Sequence, residues 1–179
     1  MAESHDVIES PSAWVQRWAA LVPTQGRVLD VACGQGRHAR FFAARGNTVD
    51  AVDRNADALA VLDSVVNVTP LCVDIEAGAW PYAPRIYAAL VVTNYLHRPL
   101  FETLLNALAP DGVLIYETFA LGNERFGRPS NPDFLLKPGE LLQTVRGRLR
   151  VHAYEDLVVK MPRPACVQRV VAVYATNAA

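Results

Sequence analysis

The segment that decides the fold is residues 28–39, which have the sequence VLDVACGQGRHA. Its first residues form a short apolar run, as expected for a strand that is buried on both faces of a sheet. Gly34 and Gly36 then provide a tight turn, because glycine adopts positive φ values and lets a ligand lie against the main chain. A helix is predicted to follow. Residues 28–39 therefore predict a strand–turn–helix unit with a ligand at the carboxyl end of the strand.

Three carboxylates accompany this turn at the predicted ends of strands. Asp30 lies at the end of the first strand, where a negative charge repels a pyrophosphate but suits a ligand that carries an ammonium or sulfonium group. Asp53 ends the second strand, and its oxygens can accept hydrogen bonds from both hydroxyls of a ribose. Asp74 ends the third strand, from which a polar side chain can reach an adenine amino group. The spacing GxGxxA at residues 34–39 also occurs in dinucleotide-binding proteins, so the turn alone leaves that function open.

Strand-like and helix-like segments alternate along the chain, which is the pattern of a mostly parallel sheet covered on both faces. The predicted strands are residues 27–32, 48–53, 68–74, 88–94 and 113–118, and the predicted helices are 11–22, 36–45, 56–66, 99–108 and 138–145. Residues 123–134 predict a loop, and the β-rich runs 150–160 and 167–175 predict an antiparallel hairpin. The predicted fold class is α/β: a single-domain, Rossmann-like, doubly wound and mostly parallel seven-stranded sheet with a C-terminal antiparallel hairpin. We expect residues 1–10 to form a flexible N-terminus and residues 11–179 to form the domain.

The composition limits the function classes. A chain of 179 residues with a net charge of −1 has no overall field that attracts nucleic acid or an anionic membrane, so neither partner is expected. No apolar run approaches the roughly 20 residues of a membrane-spanning helix, and the start of the chain, MAESHDVIES, lacks the apolar core of a secretory signal. The three cysteines form no CxxC pair, which argues against a zinc site and favours a reducing compartment. We therefore predict a cytoplasmic protein without a metal, either monomeric or homodimeric.

Taken together, these motifs resemble those of class I S-adenosylmethionine-dependent methyltransferases. The shared pattern is D-x-x-x-G-x-G at residues 30–36, acids at Asp53 and Asp74, a fourth strand that ends at Asn94, and LAPDGVLIYE at residues 108–117. The segments NYLHRPL and NERFGRPSNPDFLL are similar to those of small bacterial members. The chain also looks distantly like the tellurite-resistance and thiopurine-type methyltransferases.

The resemblance implies that the cofactor is S-adenosylmethionine and the product S-adenosylhomocysteine. Asp53 would hold the ribose of the cofactor. Asp74 and the backbone of Ile75 would recognise its adenine, and Arg54 would pack its guanidinium along the adenine face.

The same resemblance implies which residues hold the methionine part of the cofactor. Gly34 and Gly36 would let the backbone approach it, and Ala32 would bind it from the position where this family frequently has glycine. Asp30 would position the amino group directly or through water. The main chain at Asn94 would contact the same ammonium.

Methyl transfer from a sulfonium is an in-line displacement, so the protein must hold the attacking atom about 3 Å from the methyl carbon. A thiolate, an amine or an oxyanion needs little further help, whereas a hydroxyl needs a base. The catalytic candidates are Tyr95, close to the sulfonium, His97, in the acceptor pocket, and Glu117. Arg125 and Arg128 are candidate substrate residues, because their loop can fold over the pocket and attract an anionic acceptor. Structural roles stay open: His97 can begin a helix, Glu117 can pair with an arginine, and the loop can be solvated.

The sequence thus predicts an S-adenosylmethionine-dependent methyltransferase that acts on an unidentified small-molecule acceptor. The segment NYLH follows the fourth strand in place of an NPPY-like tetrapeptide, which argues against methylation of the exocyclic amines of bases. Two alternatives stay open, an NAD(P)-dependent oxidoreductase and a non-catalytic protein that binds S-adenosylmethionine.

Overall fold

The computed structural model describes residues 10–175, and within them seven strands form one sheet. The strands are β1 (Arg27–Val31), β2 (Thr48–Asp53), β3 (Val68–Cys72), β4 (Tyr87–Thr93), β5 (Leu108–Phe119), β6 (Arg150–Val159) and β7 (Ala165–Val173). Their order in the sheet is β3-β2-β1-β4-β5-β7-β6. Strands β1 to β5 are parallel to their neighbours among themselves, whereas β7 is antiparallel to both β5 and β6. The predicted fold class, with its C-terminal hairpin, is confirmed.

Helices cover both faces of this sheet. They are α1 (Ala13–Trp18), α2 (Arg37–Ala44), α3 (Ala56–Ala60), α4 (Phe101–Ala107) and α5 (Glu140–Val145). Helices α1 to α3 pack on the face to which Val28 points, and α4 and α5 pack on the face to which Leu29 points. Successive residues of a strand point to opposite faces, so one apolar strand supplies both cores. None of the helices within residues 10–175 has the length and apolar character needed to cross a membrane.

The helices are shorter than the sequence predicts. Helix α1 begins at Ala13 because the Ser12 hydroxyl accepts a hydrogen bond from the backbone N–H of Trp14 at 3.1 Å and so caps the helix. Helix α3 ends at Ala60, six residues before the predicted end, and gives way to tight turns. The segment beyond Ala60 is rich in valine, which lowers helix propensity because its branched side chain loses rotamer freedom. The predicted N-terminal segment 1–10 lies outside the described residues except for Ser10.

Strand β5 begins earlier than predicted, at Leu108. Leu108 pairs with Tyr87 of β4, and the next pair in register is Ala89 with Val113, so residues 109–112 form a bulge within the strand. A Cβ atom at Gly112 would lie 2.8 Å from the backbone oxygen of Tyr87, so only glycine allows this close approach. The predicted turn is therefore present, but inside the strand.

A long loop, residues 121–135, follows β5 and is closed at its base. Ala120 and Leu136 form a parallel bridge, and the backbone N–H of Leu136 donates to the oxygen of Phe119 at 3.0 Å. Asn123 is 2% exposed; its side chain donates to the Pro129 oxygen at 3.0 Å and accepts from the backbone N–H of Cys166 at 3.2 Å. Loop 121–135 is thus fastened to β7 and lies beside the carboxyl end of β5.

Candidate active site

A cavity of about 350 Å³ opens at the carboxyl ends of β1, β2, β4 and β5. It lies where β1 and β4 are neighbours and the strand order reverses, which is where open α/β sheets bind ligands. This main cavity is lined by Ala32, Val52, Asp53, Arg54, Val73, Asp74, Ile75, Glu76, Asn94, Tyr95, Leu96, Thr118, Phe119, Pro129 and Phe134. An adjoining recess of about 240 Å³, here called the glycine-turn recess, is lined by Ala32, Cys33, Gly34, Gln35, Arg37, His38, Thr93 and Asn94.

Two neighbouring strands end in left-handed backbone at the point where the main cavity and the recess meet. Ala32 has φ 51° and Asn94 has φ 55°. This conformation costs roughly 1 kcal/mol or more for a residue with a side chain, and such strain is concentrated at functional sites. Ala32 and Asn94 therefore turn the main chain at the ends of β1 and β4, beside both the main cavity and the glycine-turn recess.

The two glycines of the turn have different roles. Gly34 has φ 55°, and a Cβ atom there would meet no atom within 4 Å, so its backbone faces open space in the glycine-turn recess. Gly36 has φ 73°, but a Cβ atom there would lie 2.6 Å from the Leu62 side chain. Gly36 lines neither space, and the lack of a Cβ atom there allows α2 to pack against Leu62. The predicted contact of Gly36 with the cofactor stays a prediction.

Asp30 is buried and bonds to the backbone of α2. The side chain is 1% exposed, and its Oδ2 accepts a hydrogen bond from the backbone N–H of Ala39 at 2.9 Å. Burial raises the pKa of Asp30 to about 7. Asp30 therefore holds the first turn of α2, and the structure places it outside both the main cavity and the recess.

Asp53 lies at the edge of the main cavity and shapes the glycine turn. Its Oδ2 accepts from the backbone N–H of Gly34 at 2.8 Å, and its Oδ1 accepts from that of Asn55 at 2.9 Å. A carboxylate has about four lone-pair positions, so both oxygens keep capacity to accept further bonds. Asp53 thus joins the end of β2 to the turn after β1.

The segment after β3 forms the next wall of the main cavity. Asp74 and Ile75, the residues predicted to recognise adenine, line this wall, and Arg54 lines it from the end of β2. The Asp74 carboxylate accepts from the backbone N–H of Glu76 at 2.9 Å. Glu76 lines the cavity too, although the sequence did not single it out.

Tyr95 lines the main cavity from the segment after β4. Its hydroxyl is buried and has no hydrogen-bond partner among the described residues. Burial and the nearby charge of Glu76 raise the pKa of Tyr95. The electrostatic neighbours of this hydroxyl, Glu76, Asp74 and Arg54, place it toward the ends of β2 and β3. Tyr95 therefore faces the side of the cavity on which Asp53 lies.

His97 reaches the main cavity only through Glu76. Its Nδ1 lies 3.5 Å from Glu76 Oε2, and His97 itself does not line the cavity. His97 also precedes a short 3₁₀ turn, Arg98–Leu100, as its structural interpretation expects. The predicted place in the acceptor pocket does not match this position.

Glu117 lies on the face of the sheet that α1 covers. Its Oε1 accepts from the Ser12 hydroxyl at 2.6 Å, and its Oε2 accepts from Arg169 at 3.1 Å. Arg169 also donates to Glu155 at 2.7 Å and lies over the Trp14 ring. Glu117 is therefore a structural ion-pair partner that fastens α1 to β5 and β7. A catalytic role for Glu117 has no support in this geometry.

Arg125 and Arg128 lie on loop 121–135 but do not line the main cavity. Arg125 donates to the Gly122 oxygen at 3.1 Å and lies over the Phe126 ring. Arg128 is exposed to solvent. The predicted attraction of an anionic acceptor by these two side chains does not match their placement.

Sequence reasoning missed the far wall of the main cavity. Thr118, Phe119, Pro129 and Phe134 form this wall, at the end of β5 and on loop 121–135. The aromatic residues of the loop were visible in the sequence, but nothing local to them indicates which one faces a cavity. Among residues 10–175, no three His, Cys, Asp or Glu side chains lie close enough together to hold a metal ion.

Solved structures with a similar fold include S-adenosylmethionine-dependent methyltransferases. TehB from Haemophilus influenzae aligns with a TM-score of 0.74 and 18% identity over 89% of this chain, which spans 60% of the TehB chain. An S-adenosylmethionine-dependent methyltransferase from Mesorhizobium loti aligns with a TM-score of 0.70 and 16% identity, over 90% of this chain and 98% of that one. This chain therefore has the class I methyltransferase fold.

A third structure contains bound ligands. The 1,6-didemethyltoxoflavin-N1-methyltransferase from Burkholderia thailandensis, with 1,6-didemethyltoxoflavin and S-adenosylhomocysteine bound, aligns with a TM-score of 0.65 and 16% identity, over 92% of this chain and 79% of that one. Comparison with curated proteins finds no matching sequence. Residues 28–112 match the family model described as a methyltransferase domain. The matched residues include the glycine turn, Asp53 and Asp74, which agrees with the resemblance that the motifs indicate.

Proposed function

We propose that this protein transfers a methyl group from S-adenosylmethionine to a small-molecule acceptor and releases S-adenosylhomocysteine. The observation that carries the proposal is that Asp53, the Gly34 turn and the main chain at Asn94 meet at the main cavity and its recess. When bound, the cofactor supplies a methyl group that is already activated by a positively charged sulfur. The protein therefore has to bind the cofactor and the acceptor, orient them toward each other and exclude water.

The ends of β2 and β3 suit the nucleoside part of the cofactor. Asp53 keeps lone pairs for two ribose hydroxyls while it holds the glycine turn. Asp74 and Ile75 line the place of the adenine, and Arg54 can stack on its face. The orphan hydroxyl of Tyr95 lies on the same side and offers a partner to a polar edge of the base.

The glycine-turn recess suits the methionine part. Gly34 leaves open space against its backbone, and the turned main chain of Ala32 and Asn94 borders the recess. Arg37 lines the same recess, where a guanidinium suits a carboxylate. Asp30 supports this arrangement from below by holding the first turn of α2.

A small acceptor agrees with the dimensions and the charge of the site. The main cavity has the volume of small-molecule sites, about 300–1,000 Å³. The chain carries a net charge of −1, which does not favour a nucleic-acid substrate. The structural neighbour from Burkholderia thailandensis methylates a small heterocycle. A cytoplasmic location and a monomeric or homodimeric state remain predictions from the sequence.

Replacing Asp53 tests the proposal. We expect Asp53→Ala to weaken S-adenosylhomocysteine binding, measured by calorimetry, by more than tenfold. The change removes two charge-assisted hydrogen bonds to the ribose, each contributing about 1.5–3 kcal/mol, and frees the Gly34 turn. Asp63→Ala is the matched control, because Asp63 is exposed on the segment after α3 and lines neither space.

Two results would contradict the proposal. The first is wild-type protein that binds NAD but not S-adenosylhomocysteine, which would favour the oxidoreductase alternative. The second is an Asp53→Ala variant that binds S-adenosylhomocysteine as tightly as the Asp63→Ala control, which would mean that the ribose lies elsewhere.

A further inference from the structure

We propose that the methyl acceptor is an uncharged heteroaromatic nitrogen base, which stacks against the wall formed by Phe119, Pro129 and Phe134. This inference rests on the proposed function and adds the chemical class of the acceptor. It also replaces the anionic acceptor that the arginines of loop 121–135 had indicated.

The position of the acceptor follows from the order of the strands. The ends of β2 and β3 carry the nucleoside residues, and the ends of β1 and β4 border the glycine-turn recess. The next strand in this direction is β5, whose end carries Thr118 and Phe119. The acceptor side of the main cavity is therefore the wall of Thr118, Phe119, Pro129 and Phe134.

This wall presents apolar flat surface to the cavity. Phe134 is 54% exposed although it lines the cavity, so much of its ring has no protein neighbour. Covering an exposed aromatic face is favourable in proportion to the area removed from water, and ring pairs add about 0.5–1.5 kcal/mol. A planar aromatic acceptor matches these surfaces better than a compact hydrated one.

Hydrogen bonds from neighbouring segments hold this wall in place. Arg98 donates to the backbone oxygens of Asp133 at 2.7 Å and Leu135 at 2.9 Å, on either side of Phe134. Arg98 is itself held by a bidentate pair with Glu140, at 2.6 and 2.9 Å. Asn123 fastens Pro129 from the other end of the loop. A preformed wall lowers the ordering cost of binding.

The charges around the cavity disfavour an anion. Asp53, Asp74 and Glu76 line the main cavity, and Arg54 is the one cation among the lining residues. Arg125 lies outside it and donates to its own loop. An anionic acceptor would therefore enter against repulsion, whereas an uncharged one would not.

The described wall residues Thr118, Phe119, Pro129 and Phe134 carry no basic side chain, so we expect an attacking atom that is nucleophilic without one. Threonine, phenylalanine and proline side chains carry no group that titrates near neutral pH. The lone pair of a ring nitrogen forms the new N–C bond while the C–S bond breaks and its electron pair passes to sulfur. The positive charge moves from sulfur to nitrogen, and a nitrogen that carried a hydrogen then loses a proton to water. The surrounding carboxylates favour the cationic product.

The test compares two probes that share a flat ring system of two fused six-membered rings, on protein saturated with S-adenosylhomocysteine. Isoquinoline is an uncharged nitrogen base at pH 8, and 1-naphthoate is an anion. We expect calorimetry to give at least tenfold tighter binding of isoquinoline, and we expect Phe134→Ala to weaken it at least tenfold. Phe126→Ala is the matched control, because Phe126 is a 44% exposed phenylalanine of the same loop that does not line the cavity.

The readouts separate this inference from the proposed function. If the wild-type protein does not bind S-adenosylhomocysteine, the proposed function itself is contradicted. Retained S-adenosylhomocysteine binding with equal or tighter binding of 1-naphthoate would overturn the heteroaromatic acceptor. Equal isoquinoline affinity in the Phe134→Ala and Phe126→Ala variants would overturn the aromatic wall.

Discussion

At the scale of single residues, carboxylates at strand ends differ in role because their surroundings differ. Asp30 is buried and holds the backbone of α2, so its oxygens face protein. Asp53 lies at a cavity edge and keeps lone pairs for a ligand. Glu117, near the end of β5, accepts hydrogen bonds from Ser12 and Arg169. The direction of each side chain from its strand separates the structural acids from the one that can bind ribose.

His38 gives a prediction of the same scale, because it is a buried histidine beside the glycine-turn recess. Its Nε2 accepts from the backbone N–H of Ser12 at 3.1 Å, so the nitrogen carries no proton. Burial lowers the pKa of His38 to about 3, from an ordinary value of 6.5. Between these values the unfolded chain binds a proton that the folded protein excludes, so the free energy of unfolding falls as the pH drops from 6.5 toward 3.

Urea unfolding at several pH values tests this behaviour. We expect His38→Gln to lose less stability than wild type between pH 6.5 and pH 4, with the two proteins changing in parallel above pH 7. Asp30 acts in the opposite direction, since its raised pKa favours the folded state as the pH falls below 7, but it is present in both proteins and cancels in the difference. His152→Gln, a change at an exposed histidine, is the control. The same pH slope in His38→Gln and wild type would contradict the prediction.

At the scale of elements, an arginine from the 3₁₀ turn before α4 orders a loop that has little regular structure of its own. Loop 121–135 contains only two short 3₁₀ turns, Asn123–Arg125 and Pro132–Phe134, among its described residues. Arg98, just before α4, joins this loop to Glu140 at the start of α5. The end of the loop is therefore positioned by two helices that pack on the same face of the sheet.

Replacing Arg98 tests this arrangement. We expect Arg98→Met to lower the free energy of unfolding by about 1–3 kcal/mol, because a charge-assisted network with a carboxylate and two carbonyls is lost. Hydrogen exchange of the amides of residues 121–135 should become faster. Arg148→Met is the control: Arg148 pairs with Glu102, which is 74% exposed, and such surface pairs contribute about 0–1 kcal/mol. Unchanged exchange in loop 121–135 would show that Arg98 does not order it.

At the scale of the whole molecule, the sheet orders the parts of the site along one edge. Along the strand order β3-β2-β1-β4-β5 lie, in turn, the residues that we propose bind the nucleoside, the glycine-turn recess and the apolar wall. The antiparallel strand β7 then supports β5 from the far side, with paired residues from Val113 to Phe119. A ligand across these strand ends contacts segments from distant parts of the chain.

Such a ligand should stabilise the whole fold. A ligand that binds only the folded protein adds about 2.7 kcal/mol at a concentration 100 times its Kd. For a chain of this size each kcal/mol raises Tm by about 2–4 °C, so we expect S-adenosylhomocysteine to raise Tm by roughly 5–11 °C in thermal unfolding. NAD at the same concentration is expected to leave Tm unchanged. A larger shift with NAD would contradict the assignment of the site.

The sequence by itself determined the alternation of strands and helices, the glycine turn and the acids that border it. These features depend on local rules: apolar runs, glycine at positive φ, and polar residues directly after strands. The class of the fold and the positions of Asp53 and Asp74 near the ends of strands could be predicted from such signals alone, whereas the role of Asn94 came from the family resemblance.

Only the tertiary structure decided which of these groups face a ligand. Glu117 accepts from Ser12, a residue 105 positions away, and the wall of Phe119, Pro129 and Phe134 forms because Arg98 and Asn123 fasten a loop. Side-chain direction and long-range partners follow from how the elements pack against one another. No local pattern in the chain encodes those contacts, because each depends on segments that meet only after folding.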